Sequence, residues 1–440
     1  LIIVGHHKNN ESPWKSYKYT SEELNILNEL STLRTSNLIL TEFAKPYALL
    51  DIKSLVGIDG IVVAFQNSLL AQEKAAQVLF GAIPAKGILP VTAHPDLPVN
   101  KGIQLDSLLR LGYSFPERVG MNSSKLAAVD DLVQNGLDSL MYPGAQVLIA
   151  RKGKVIYNKA FGKPTYASKE QLTTEHIFDL ASLTKILSTL PIVMQMEEVG
   201  KISLNQTFKD LNPEYATTEL KNVTVLKALS HYGRLPAWIA FYVSTLNDER
   251  KPSGEFYRNK PMNGFSIKVS DKLYLTDAYK DSIYNRIGRQ DLKSNRYRYS
   301  DVGYYVFHKY IEDTYGEGQD KLANRLFYAP LGANNMTYNP LEKFSKERIV
   351  PSEEDNYYRY ETVQGYVHDM GAAMQGGVGG HAGLFSNAND VAKIMQMYLQ
   401  GGFYGGERFM NARTVKKFNT CYFCNENVRR GVGFDKPDLK

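Results

Sequence analysis

Two short stretches of this 440-residue chain hold residue types that could work together in acyl transfer. The first runs from Phe178 to Gly200, FDLASLTKILSTLPIVMQMEEVG, and contains Ser182-Leu-Thr-Lys185 at the start of an apolar helical pattern. One helical turn puts residues i and i+3 on the same face, so the Lys185 amine can reach the Ser182 hydroxyl. Serine is a poor nucleophile by itself and needs a neighbouring base. Burial favours an uncharged amine, the form that can take a proton. A helix N-terminus adds free N–H groups and the positive end of a dipole for a developing oxyanion. By spacing alone, a helix N-cap serine followed by a solvated lysine accounts for these four residues better. The chain also holds a second Ser-x-x-Lys, Ser12-Pro-Trp-Lys15. There Pro13 follows the serine in a polar loop, and nothing fixes Lys15 against Ser12.

The second stretch is Tyr299-Ser300-Asp301, just before another helical pattern. Residues two apart in an extended loop can point to one side, and a tyrosine beside a lysine can share a proton relay as base and then acid. The competing readings are plain. The chain has 29 tyrosines, and Asp301 can serve as a simple N-cap.

The elements that must position these groups fall into two patterns. Residues 1 to about 110 alternate strand and helix. LIIVG, SNLILTEFA and DGIVVAFQN read as strands. TSEELNILNELSTL reads as a helix capped by Thr20 or Ser21, and SLLAQEKAAQVLFG as a helix ended by Gly81. Such alternation predicts a parallel sheet with helices on its faces. IPAKGILPVTAHPDLPVNKG, rich in proline and glycine, leads out of this unit. From about Ser123 the pattern changes. A long helix, SSKLAAVDDLVQNGLDSLM, is followed by a hairpin across Lys152-Gly153-Lys154 and then by the Ser182 helix. Residues 243–298 are polar, basic and rich in tyrosine, with little periodicity, and read as a long insert or a solvated loop. VGYYVFHKYIEDTYG and NDVAKIMQMYLQGG are helices, the latter with Asn389 or Asp390 near its N-cap, separated by the glycine-dense QGGVGGHAGLFS. The second half therefore predicts an α+β arrangement of antiparallel sheet and helical lobe.

Composition bounds the rest. With 43% apolar and 22% charged residues, the chain is ordinary globular material. Its net charge of +6 is scattered and forms no basic block, which argues against nucleic-acid binding. Cys421 and Cys424 read as two incidental thiols, since no second pair completes a metal site, and no cofactor is implied. No apolar run approaches the ~20 residues of a membrane span. The opening strand without an initiator Met or signal peptide, and the end at RRGVGFDKPDLK, read as those of a fragment.

SLTK, LSHYGRLPAW, YSDVGYYVF and GGHAGLFSNANDVAKIMQMYLQGG, in that order, resemble the serine β-lactamase-related superfamily over residues ~123 to 440. That group includes class C-type β-lactamases, penicillin-binding-protein-like peptidases and esterases. The resemblance implies Ser182 as an acylated nucleophile, Lys185 as its base or proton shuttle and Tyr299 as partner base. Asp301 stands where the family often has Asn, and implies a group that orients substrate or Lys185. Tyr232-Gly233-Arg234 replaces the usual Thr-Ser-Gly. The family's third motif, Lys-Thr-Gly or His-Thr-Gly, falls beyond Lys440 by this order. His381 is thus read as a loop histidine, kept as a candidate substrate-binding residue beside Asp301. The first ~110 residues, through SPWKSYK and above all GAIPAKGILPVT, resemble the end of the α/β sandwich domain of family 3 glycoside hydrolases. Relatives of β-N-acetylhexosaminidase type join a glycosidase barrel, this domain and a β-lactamase-like domain.

The expectation is therefore a multidomain α/β plus α+β chain. It comprises a partial α/β sandwich domain over 1–112, a linker over 113–122 and a β-lactamase/transpeptidase-like domain over 123–440. It implies a hydrolase acting on a small molecule, muropeptide or glycoside at the periplasm or cell envelope. A non-catalytic binding or scaffolding module is the alternative. The 243–298 insert is expected to roof the pocket.

Overall fold

The computed structural model describes residues 1–9, 15–33 and 35–437, so Ser12 of the second Ser-x-x-Lys lies outside the described residues. The chain forms two compact units, Leu1–Tyr113 and Ser114–Lys440.

In the first unit the strands Ile2–His6, Leu38–Glu42 and Gly60–Val63 pair in parallel, in chain order. The helices Ser21–Thr32 and Leu69–Leu79 connect to them. Thr20 caps the first helix through a reciprocal box. Its hydroxyl accepts the Glu23 N–H, and the Glu23 carboxylate accepts the Thr20 N–H. Leu27, Leu38, Leu40, Leu49 and Ile52 form the buried centre. The proline-rich exit folds back on that centre, with Ala93 fully buried in it and Leu89 and Leu97 packed against it.

The second unit opens with the helix Ser123–Asp138, capped by Asn122. The antiparallel hairpin Gly144–Arg151 and Lys154–Gly162 follows. Its two-residue turn has Lys152 and Gly153 at φ 51° and 71°, the double left-handed turn that matches strand twist. Val119, Leu126, Ile156 and Tyr157 join helix and hairpin in one core cluster. A helical lobe carries the rest. Ile192, Val193, Met194 and Met196 of the helix Leu190–Glu198 have no exposed surface, nor do Val302, Phe307 and Ile311 of the helix Val302–Tyr315. Among the described residues no helix is long and apolar enough to cross a membrane.

Three expectations change. Residues 243–298 are not a solvated loop. They contain the strands Tyr257–Arg258, Ile267–Ser270 and Leu273–Leu275 in one small sheet, and the helix Tyr279–Gly288. Ile283 and Ile287 of that helix are fully buried, so the insert is core as well as surface. The helix Ala388–Leu399 is capped by Asn387, whose side chain accepts the Asp390 N–H, and not by Asn389 or Asp390. Cys421 and Cys424 are not incidental thiols but a disulfide.

Candidate active site

Ser182 sits in a tight 3-10 turn, Ala181–Leu183, that enters a widened π turn, Lys185–Thr189, and then the helix Leu190–Glu198. Proline explains part of this shape. Pro191 has no N–H to give to a carbonyl four residues back, and the freed Leu187 carbonyl instead accepts the Tyr328 hydroxyl at 3.2 Å. Just before the serine, Ala181 is held at φ 46°, a left-handed conformation that costs a residue with a Cβ. Local bonds pin it there. Asp179 Oδ1 accepts the Ala181 N–H at 2.8 Å, and the Thr184 hydroxyl donates to the Ala181 carbonyl at 2.7 Å.

The result is an exposed serine over a buried lysine. Lys185, 2% exposed, donates from Nζ to Ser182 Oγ at 2.8 Å. The same nitrogen lies 2.7 Å from Asp301 Oδ1 and donates to the His381 carbonyl at 3.3 Å. The Asp301 contact is an ion pair rather than an aligned hydrogen bond. Two aromatic faces complete the enclosure, with the ring centroids of Tyr299 at 5.0 Å and Tyr304 at 5.5 Å from Nζ. A buried charge is tolerated only when paired, and this amine is surrounded by such partners.

Asp301 stands at the N-cap position of the helix Val302–Tyr315 but makes no capping bond. Its carboxylate goes to Lys185 instead. The LSHYGRLPAW segment holds it there. Asp301 N–H donates to the Ala237 carbonyl at 2.9 Å, and the Ser300 hydroxyl donates to the Pro236 carbonyl at 2.6 Å. His231 Nδ1 accepts the Ser300 N–H at 3.1 Å, which leaves the ring proton on Nε2. Burial, with the charges of Arg430 and Lys185, pushes the His231 pKa well down, so the ring is neutral. Its centroid lies 4.4 Å from that of Tyr299. In the altered Tyr232-Gly233-Arg234 segment, Tyr232 packs on Phe423 and Arg234 Nε donates to the Lys293 carbonyl at 2.7 Å. That segment braces the tyrosine loop.

The other four expected residues thus all reach the Lys185 nitrogen, three of them through their side chains. Tyr299 meets the amine through its ring face and is 38% exposed. His381 is placed differently from a substrate-binding side chain. Its ring is buried, stacked on Tyr305 at 4.2 Å and bonded through Nε2 to Asp369 at 2.8 Å, and only its carbonyl reaches Lys185. Burial opposes ionisation of Asp369, yet the His381 charge and hydrogen bond hold its carboxyl below the usual range. The glycine-dense loop is laced to the serine turn elsewhere too. Leu180 N–H donates to the Leu384 carbonyl at 2.9 Å, and Thr189 Oγ1 donates to the Gly380 carbonyl at 2.6 Å. Sequence reasoning missed His231, Asp179 and Asp369. His231 was legible only as a polar residue closing an apolar helix, and Asp179 only by its place three residues before the serine.

The geometry sets a serine hydroxyl against a buried lysine amine, an arrangement in which an amine could take the place that histidine has in other serine nucleophile sites. Comparison with known proteins gives the family. The model of the Beta-lactamase family matches residues 129–433, and the chain belongs to that family. A "Putative D-alanyl-D-alanine carboxypeptidase" of Escherichia coli (strain K12) is 30% identical over 349 residues, covering 73% of this chain and 74% of the relative. Among solved structures, the octameric penicillin-binding protein homologue from Pyrococcus abyssi aligns with TM-score 0.49 and 20% identity, over 68% of this chain and 60% of that one. The class C beta lactamase from Rhodobacter sphaeroides aligns with TM-score 0.47 and 13% identity, over 66% and 70%.

Proposed function

We propose that this hydrolase cleaves an amide or ester through an acyl-enzyme on Ser182, with a D-alanyl peptide of the cell envelope as substrate class. The observation that carries the reading is the 2.8 Å contact between Lys185 Nζ and Ser182 Oγ. The substrate class is suggested by the carboxypeptidase name of the relative. As Oγ bonds to the substrate carbonyl carbon, its proton passes to Lys185 once the amine has given up its own surplus proton to solvent. The ammonium so formed is held by Asp301 and the His381 carbonyl. The proton then goes to the departing nitrogen or oxygen, with Tyr299 beside the amine as the partner base. Water releases the acyl group by the reverse sequence.

The resemblance of residues 1–112 to the family 3 glycosidase domain extends the reading to a bifunctional parent that also cleaves amino-sugar glycosides. Its support is the GAIPAKGILPVT run and the three parallel strands of the first unit. Muropeptide is the substrate that would unite both activities at the envelope.

The test is treatment of the full chain with a fluorophosphonate and with a penicillin probe, followed by peptide mass mapping. An adduct on Ser182 that is absent in Ser182→Ala supports the reading. A folded protein without that adduct overturns it and favours a binding module.

A further inference from the structure

A cavity of about 380 Å³ in the second unit is walled by Lys163, Phe178, Asp179, Val350, Ser352 and His368 among others. That is room for an amino acid or the end of a peptide. Phe178 and Asp179, two of its lining residues, precede the pinned Ala181 in the chain.

Asp179 is the one carboxylate among the lining residues, and it is saturated. Oδ1 accepts the Ala181 N–H at 2.8 Å. Oδ2 accepts the His368 backbone N–H at 2.8 Å and lies 3.1 Å from His368 Nδ1. The side chain of Asp179 is 4% exposed, whereas the His368 ring is 39% exposed. With Nδ1 turned to Asp179, the imidazole has Nε2 left to donate. Lys163, half-buried, has no carboxylate partner among the described residues. Two donors that can carry positive charge therefore share one cavity, with no free anion on its wall.

The other carboxylates that act on His368 are already engaged. Asp369 is bonded to His381. Glu353 accepts the Tyr357 hydroxyl at 3.1 Å and lies 3.7 Å from Arg359. The Asp179 hydrogen bond, against the opposing effect of burial, raises the His368 pKa, so the imidazolium persists to higher pH.

We propose that this cavity is a binding subsite for a carboxylate-bearing ligand, an amino acid or peptide end, held by His368 and Lys163. Charge-assisted hydrogen bonds from two cations to one carboxylate give it both strength and direction. The apolar wall of Phe178 and Val350 takes the body of the ligand. Its use as a substrate subsite rests on the proposed nucleophilic role of Ser182, whereas the binding itself does not.

Calorimetric titration of the full chain with N-acetylalanine and with its neutral amide tests this. The acid is expected to bind about tenfold or more tightly than the amide, the scale of one charge-assisted bond. Lys163→Gln and His368→Gln should each weaken the acid by a similar factor. Affinity for the acid should also fall as pH rises through the His368 titration, and that fall should vanish in His368→Gln. Equal binding of acid and amide, or unchanged acid affinity in Lys163→Gln, overturns the proposal. Should His368→Gln not fold, Lys163→Gln alone decides. Probe labelling of Ser182 in the wild-type chain, read beside the titration, separates the two readings. Carboxylate binding without any Ser182 adduct removes the nucleophile and leaves the subsite, and an adduct without carboxylate binding does the reverse.

Discussion

Lys185 concentrates the chemistry at a single nitrogen. It touches the serine, a carboxylate and a backbone carbonyl, with two aromatic faces around it. Removing the amine removes the proposed base and leaves Asp301 without its ion-pair partner. Lys185→Met is expected to slow fluorophosphonate labelling by about 10²–10⁴, the usual worth of a positioned base. Asp301→Asn keeps an oxygen beside the amine and loses only the charge, so its loss should be nearer tenfold. Labelling rates measured side by side check both, and a Lys185→Met protein that labels at the wild-type rate would sink the relay. The serine–lysine pair was legible through the order of the motifs around it, since the pitch of one helical turn only permits the contact and fits a capping serine as well. The lysine–aspartate pair was legible only through the resemblance, which gave Asp301 as a group that orients substrate or Lys185. Lys185 and Asp301 belong to different elements, and no periodicity records that a loop anchored on His231, Pro236 and Ala237 will swing the carboxylate away from its own helix.

At the scale of elements, the site depends on how closely the glycine-dense loop can approach the helix Val302–Tyr315. A Cβ added at Gly380 would stand 2.3 Å from the Tyr304 carbonyl oxygen, a backbone atom that cannot step aside by changing rotamer. Gly380→Ala must therefore push the loop outward, at about 1–3 kcal/mol by analogy with overpacked cores. The neighbouring His381 carbonyl would leave Lys185 with it. Urea denaturation and labelling rate should fall together in this variant, and a stable protein with unaltered labelling would show that the close approach is dispensable. The hairpin was legible from Lys152-Gly153, where the turn demands two left-handed residues. The insert was misread because its charges and tyrosines mask a helical stripe. Tyr279, Ile283, Tyr284 and Ile287 recur at helical spacing and all four are buried. The direction taken by His381 was beyond reach of the sequence, since a loop between glycines has no repeat to say which way a ring turns.

For the whole molecule, the histidines set opposing pH slopes. Burial holds His231, His308 and His176 below the ordinary value near 6.5. A depressed folded pKa gives stability that is present above about pH 6.5 and lost as pH falls toward the folded value. His368 is raised, mainly by Asp179. Its contribution is present below about pH 6.5 and lost as pH climbs through the folded value. Three depressed groups against one raised one predict a lower urea midpoint at pH 5.5 than at pH 7.5, with the gap narrowed in His231→Gln. A flat profile would mean that these rings titrate alike folded and unfolded. The family was legible at this scale because four motifs kept their order, which survives changes such as Tyr232-Gly233-Arg234 that blur any single motif. The widened turn at Lys185–Thr189 also makes the molecule sensitive to chain length rather than to chemistry. Each helical residue advances its side chain by about 100°. Deleting one residue from 186–189 would restore an ordinary helix and leave the apolar face of Leu190–Glu198 in place. The Ser182–Lys185 turn would then be rotated away from Asp301 by about that angle. The outcome would be a folded protein that keeps Ser182, Lys185 and Asp301 but parts the first two from the third, through the loss of a single codon.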